Sequence, residues 1–171
     1  MARFGGVLLG ILATLVLGLA AVHVLIGSVP ALAEVVSGEA PEKEPEPRID
    51  PDLEAAFDAA RLAAAEEAVV LTITSGPRSH DEQQALWEDA LEQYGSREAA
   101  ARWVLPPEVS AHVKGRALDV GPMEGAAWLG EHGRRWGLCQ VYANEPWHFE
   151  LTGVDGSCPE LLPDASVLLV D

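Results

Sequence analysis

Positive charge is scarce in this 171-residue chain: 11 Lys and Arg stand against 27 Asp and Glu, a formal net charge of −16. Nucleic-acid phosphates and anionic lipid surfaces both call for clustered cations, so the balance argues against either as a partner. The excess acid reads instead as a solvated surface that keeps the protein soluble. Cysteine is nearly absent as well: there are 2, Cys139 and Cys158, and neither has a Cys or His at finger spacing, which disfavours a cysteine-held zinc. Long apolar runs are missing from most of the chain and are confined to residues 4–33.

That one run lies behind Arg3, and its segment Val7–Ile26 is long enough to span a bilayer. Ala31-Leu32-Ala33 also has the small-x-small pattern of a cleavage site. Residues 1–33 are therefore a signal peptide or an N-terminal membrane anchor, and both readings place the rest of the chain outside the cytoplasm, with membrane contact only through this segment. His23 within it is a tolerated residue rather than a ligand. Residues 34–50, with "VVSGEAPEKEPEPRID" at 35–50, are an acidic Pro/Glu linker too poor in bulky apolar groups to fold. Residues 51–171 remain, about 120 residues, enough for one core. In an oxidising compartment Cys139 and Cys158 are expected to pair, closing a loop of about 20 residues for roughly 3 kcal/mol.

Asp50-Pro51 caps a helix running to about Glu67, with Leu53, Phe57, Ala60 and Leu62 as its stripe. The β-branched run 69–75 predicts a strand. Ser79 to Gly95 predicts a second helix burying Ala85, Leu86, Ala90 and Leu91, followed by a short helical piece at 96–103. "RALDVG" reads as a strand with Leu118 and Val120 on one face and Ala117, Asp119 and Gly121 on the other. A third helix over 124–137 and a last strand over 147–151 complete the set, with Trp147, Phe149 and Leu151 facing the core and His148 and Glu150 facing away.

Two pieces of this pattern carry chemistry. "SAHVKGRALDV" (110–120) sets His112 seven positions before Asp119, and "EPWHFEL" (145–151) adds His148 with Glu145 three residues earlier. Two imidazoles and one carboxylate are the ligands of a hydrolytic zinc with a fourth position open, and a spare carboxylate is the base such a site needs. A buried strand Asp without a partner is costly, and a metal removes that cost. Pro146 cannot donate to a ladder, so Glu145 is expected to reach the site from the loop before the strand. Glu150 and Glu108 are alternative candidates for the base.

"SGPRS" at 75–79, a Gln in the next helix, "SAHVKGRALDVG" and "EPWHFE" occur in the order and spacing of D-alanyl-D-alanine metallocarboxypeptidases of the VanY type. The stretch 51–152 resembles that family, whose superfamily includes lysostaphin-type peptidases and hedgehog domains. The resemblance implies an α+β fold in which a small antiparallel sheet carries the zinc site and about three helices flank it, preceded here by the hydrophobic segment. It implies one Zn2+ per chain, held by His112, Asp119 and His148. Glu145 would be the general base and Arg78 the group that steadies the scissile carbonyl as it gains charge. Gln83, Ser110 and Trp147 would contact substrate.

This chain departs from the family pattern at Pro77, where an aromatic is common, at Ala111, where Glu is frequent, and in a short "LCQVYAN" segment that leaves less wall for the pocket. The implied activity is removal of the terminal D-alanine from a peptidoglycan stem peptide by a monomeric, exported enzyme. An endopeptidase of the same fold and a non-catalytic zinc-stabilised wall-binding module are the alternatives.

Overall fold

Among the described residues, four short strands build one antiparallel sheet, and the first and fourth helices bury their apolar faces against it. The structure, a computed structural model, describes residues 46–152 and 156–169. The expected leader 1–33 and residues 34–45 of the expected linker lie outside the described residues. No described helix is long and apolar enough to cross a membrane.

Helix α1 (Pro51–Glu66) starts where expected, with the Asp50 carboxylate accepting from the Asp52 N–H at 2.9 Å. Its buried stripe is Leu53, Phe57, Ala60 and Ala64, and Leu62 is 68% exposed. Five positions after Phe57 a side chain has rotated well off the stripe, whereas Ala64 lies seven positions on and returns to it. Strand β1 (Thr72–Ser75) begins later than the run 69–75 predicts. The Val69 N–H closes the end of α1 by donating to the Ala64 carbonyl at 2.9 Å, so that backbone is committed before any ladder can begin.

Helix α2 (His80–Tyr94) carries the expected signals at both ends: Ser79 and Glu82 form a capping box, and Gly95 adopts φ 75°, which suits a residue without Cβ. Its buried face is Gln83, Trp87 and Ala90, while Leu86 is exposed. The stripe is rotated relative to the Ala85–Leu86 expectation because Gln83 is bonded at both ends of its amide and so can be buried.

After α3 (Arg97–Ala101) come strand β2 (Ala117–Gly121) and α4 (Met123–His132). A 3-10 turn, Gly133–Trp136, finishes the span expected as one helix over 124–137. Strand β3 (Leu138–Gln140) is an addition to the expected set. Strand β4 (His148–Leu151) and a C-terminal 3-10 turn, Ala165–Leu169, complete the described chain.

The sheet order is β1-β2-β4-β3, every pair antiparallel. Leu118, Val120 and Phe149 point to one face, where they meet the stripe of α1 and Leu129 of α4 in the main core. A second cluster joins Trp87 and Ala90 of α2 to Ala100 and Ala101 of α3, Leu105, Tyr142 and Ala165. Cys139 of β3 is disulfide-bonded to Cys158, with Cα atoms 5.5 Å apart, as the two-cysteine content led us to expect.

Candidate active site

Asp119 of β2 stands directly opposite His148 of β4 in the ladder, so their side chains leave the same face of the sheet as neighbours. The histidine Nδ1 lies 3.2 Å from Asp119 Oδ1. His112 comes from a turn that closes at Gly115, which has φ 68°. The Gly115 and Arg116 N–H groups donate back to His112 and Ala111, and the His112 carbonyl accepts from the Arg78 N–H, which ties this turn to the end of β1.

Each imidazole is oriented by its far nitrogen. His112 Nδ1–H donates to the Gly76 carbonyl at 2.8 Å, which turns the Nε2 lone pair toward Asp119 Oδ1, 3.4 Å away. His148 Nε2–H donates to Glu150 at 3.1 Å, which leaves Nδ1 facing the same oxygen. Three lone-pair atoms from His112, Asp119 and His148 thus lie within 4.8 Å of one another. Lone pairs that face each other at this range need a proton or a cation between them. Tetrahedral zinc with bonds near 2 Å spaces its ligand atoms by about 3.3 Å, and the two separations from Asp119 Oδ1 fit that edge. The donor set of two imidazoles and one carboxylate, with a carboxylate behind His148, is the chemistry of a zinc site with an open position.

Electrostatics agree with the geometry. Burial raises the Asp119 carboxyl, but hydrogen bonds from His112 and His148 outweigh it and hold the group well below the usual carboxylate range. Burial likewise works against a charged His148 ring, yet Asp119 and Glu150 lift it to about 9. A pocket that favours a proton there so strongly also favours a divalent cation.

Glu145 reaches the cluster from the turn before β4, as Pro146 predicted: its N–H donates to the Tyr142 carbonyl, and its own carbonyl accepts from His148 N–H. Its carboxylate lies 4.0 Å from His148 Nδ1 and the residue is only 8% exposed. Burial pushes the carboxyl up to about 7; His148 opposes the shift and Asp119 adds to it. The two alternative bases fall away. Glu150 bonds the far side of the His148 ring, and the exposed Glu108 lies beside His80.

Arg78 spans the other side of Asp119. Its Nε and Nη2 donate to Ser75 Oγ at 3.2 and 2.7 Å, its Nη1 to Gln83 at 3.0 Å and its Nη2 to Asp119 Oδ2 at 3.2 Å. These contacts use four of the guanidinium's five N–H donors and leave one Nη1 hydrogen outside them. Gln83, expected to contact substrate, is fixed at both ends, since its amide also donates to the Leu105 carbonyl at 2.7 Å. It lines the cavity but serves Arg78.

Ser110 and Trp147 also line the cavity. Trp147 precedes β4 rather than packing into the main core beside Phe149, and its carbonyl accepts from Val120 N–H. Sequence reasoning missed the part played by Ser75 in holding Arg78, that of Glu150 behind His148, and the cavity walls Trp103, Tyr142 and Ala165. The alternation of β4 put Glu150 on the face of His148, which was signal enough to find it.

The sequence profile of the VanY D-alanyl-D-alanine carboxypeptidase family matches residues 46–154. The chain belongs to the VanY family. Solved members of the same fold agree. The vancomycin-resistance D,D-pentapeptidase VanY from a VanB-type cassette, a mutant in complex with Zn(II), is 26% identical with TM-score 0.57, over 63% of this chain and 74% of that one. LdcB, an LD-carboxypeptidase, is 28% identical with TM-score 0.54, over 64% and 68%. DacB, an L,D-carboxypeptidase from Streptococcus pneumoniae, is 26% identical with TM-score 0.52, over 64% and 70%. A comparison with curated proteins returned no match. As a VanY-family peptidase, the chain has His112, Asp119 and His148 gathered on one sheet face with Glu145 and Arg78 on either side.

Proposed function

We propose that this protein is an exported, zinc-dependent carboxypeptidase that hydrolyses the terminal D-alanyl-D-alanine bond of peptidoglycan stem peptides. The observation that carries the reading is the convergence of His112 Nε2, Asp119 Oδ1 and His148 Nδ1 beside a buried Glu145 whose carboxyl is held near 7. Zinc bound there would supply a Lewis acid for the carbonyl and lower the pKa of the attacking water. Glu145 takes the proton from that water as oxygen attacks the carbonyl carbon. Arg78, which lines the same cavity, steadies the charge that develops on the carbonyl oxygen. As the C–N bond breaks, Glu145 returns the proton to the departing nitrogen, giving free D-alanine and a stem with a new carboxylate. A carboxyl buried beside His148 is placed for both transfers.

The disulfide between Cys139 and Cys158 and the apolar segment 4–33 support an extracytoplasmic location, where the wall substrate lies. Zinc content measured together with D-alanine release from a pentapeptide stem tests the reading; a zinc-loaded protein that releases no D-alanine would overturn it. A second reading is favoured by the likeness to LdcB and DacB: removal of the last residue from a tetrapeptide stem, an L,D cleavage. Running tetrapeptide and pentapeptide stems in parallel separates the two. An endopeptidase would release internal fragments instead. A pure binding module would leave the buried base Glu145 without a task.

A further inference from the structure

The family match ends at residue 154, yet the chain continues, and its C-terminal segment is built into the active-site cavity. Three ties hold that continuation. Cys158 is bonded to Cys139 of β3. Leu162 forms a parallel bridge with Tyr142, donating to the Val141 carbonyl at 2.9 Å and accepting from Ala143 N–H at 2.8 Å. Asp164, 7% exposed, accepts from Arg102 Nε at 2.9 Å and from Ser166 N–H at 3.0 Å, which caps the last 3-10 turn. Ala165 comes directly after it. It is 3% exposed, packs with Trp87, Ala101 and Tyr142, and lines the same cavity as His112, Asp119 and Glu145.

Trp103 also lines this cavity, on the turn after α3 whose neighbour Arg102 holds Asp164, and the residue is 45% exposed. The cavity they help enclose is about 110 Å3. Ala165 and Trp103 stand on its wall, so their size decides how much of that small space a substrate side chain can take.

The geometry points to the C-terminal segment as a wall of the substrate pocket, with Ala165 and Trp103 limiting the residue accepted beside the scissile bond to one of alanine size. The segment after Cys158 runs beside the short "LCQVYAN" segment, bonded to its Cys139 and bridged to its Tyr142. This inference rests on the peptidase reading above and adds to it the residues that set side-chain size.

The test uses the full-length zinc-loaded protein and stem pentapeptides in which the last or the penultimate D-alanine is replaced by D-leucine. The wild type should prefer the all-alanine peptide by at least tenfold in kcat/KM, the range a few methylenes command in an apolar pocket. Trp103→Ala removes a half-exposed ring at little risk to folding and should shrink that preference at least fivefold. Ala165→Val should raise KM for the all-alanine peptide about tenfold with kcat and zinc content within twofold of wild type. If both variants keep the wild-type preference and KM while melting normally, the wall does not set specificity. Should Ala165→Val fail to fold, the Trp103→Ala ratio decides alone. If the wild type hydrolyses none of the peptides, the peptidase reading itself fails, and the assignment of the wall falls with it.

Discussion

Replacing Glu145 with Gln should make the metal-free protein more stable at pH 8 while removing its activity. The carboxyl sits at about 7 in the folded protein against an ordinary value of 4.5, because burial beside Asp119 disfavours its charge. The fold therefore binds this proton more tightly than the unfolded chain does. Stability from the protonated group is complete below about 4.5 and is lost as pH rises through 7. Above that window the wild type carries a cost of about 3 kcal/mol that an isosteric, neutral Gln does not incur. For a domain of this size the difference amounts to roughly 10 °C in Tm.

Thermal unfolding with chelator present, for wild type and Glu145→Gln at pH 8 and pH 5, reads it directly. The variant should melt higher at pH 8, and the gap should narrow strongly at pH 5. Equal melting temperatures at both pH values would refute the burial argument. With zinc restored, the same variant should bind metal but lose roughly two to four decades in turnover, the range for loss of a general base.

Three further outcomes rest on the same geometry. Glu150→Ala removes the acceptor that holds His148 Nε2–H, so zinc affinity measured by competition with a chromophoric chelator should fall about 10- to 100-fold, with Glu150→Gln intermediate; unchanged affinity would remove Glu150 from the site. Paired Cys139→Ser and Cys158→Ser substitutions open the loop that ties β3 to the C-terminal segment, and denaturant unfolding should show a loss of roughly 3 kcal/mol. Arg78→Lys keeps the charge but cannot hold Ser75, Gln83 and Asp119 at once, so kcat should fall at least tenfold with zinc still bound, and wild-type kcat would show that the fixed fork is dispensable.

Much of the site was legible in the sequence because its chemistry is concentrated in two short motifs whose strand alternation fixes which side chains share a face. That Asp119 shares its face with small Ala117 and Gly121, and His148 its face with Glu150, needed only the two-residue period, whereas the register that sets His148 opposite Asp119 did not show in it. Pro146 announced that Glu145 belongs to a loop. What escaped reading was set by contacts between distant segments. Gln83 was expected to contact substrate, and its bonds to Arg78 and the Leu105 carbonyl could not be read from the chain. Strand β3 has three residues, too few to show a period. The wall after Cys158 has no motif of its own, since a single bridge, a disulfide and one ion pair place it. Even so, Leu62 and Leu86 show that apolar residues on a helix need not lie on its buried stripe.

The central claim is that His112, Asp119 and His148 together hold one zinc ion. Calorimetric titration of the metal-stripped protein with Zn(II), alongside Asp119→Ala, tests it most directly. The account predicts one ion bound per wild-type chain, with protons released on binding, and loss of that binding in the variant. A wild type that takes up no zinc, or a variant that binds it as tightly, would contradict it.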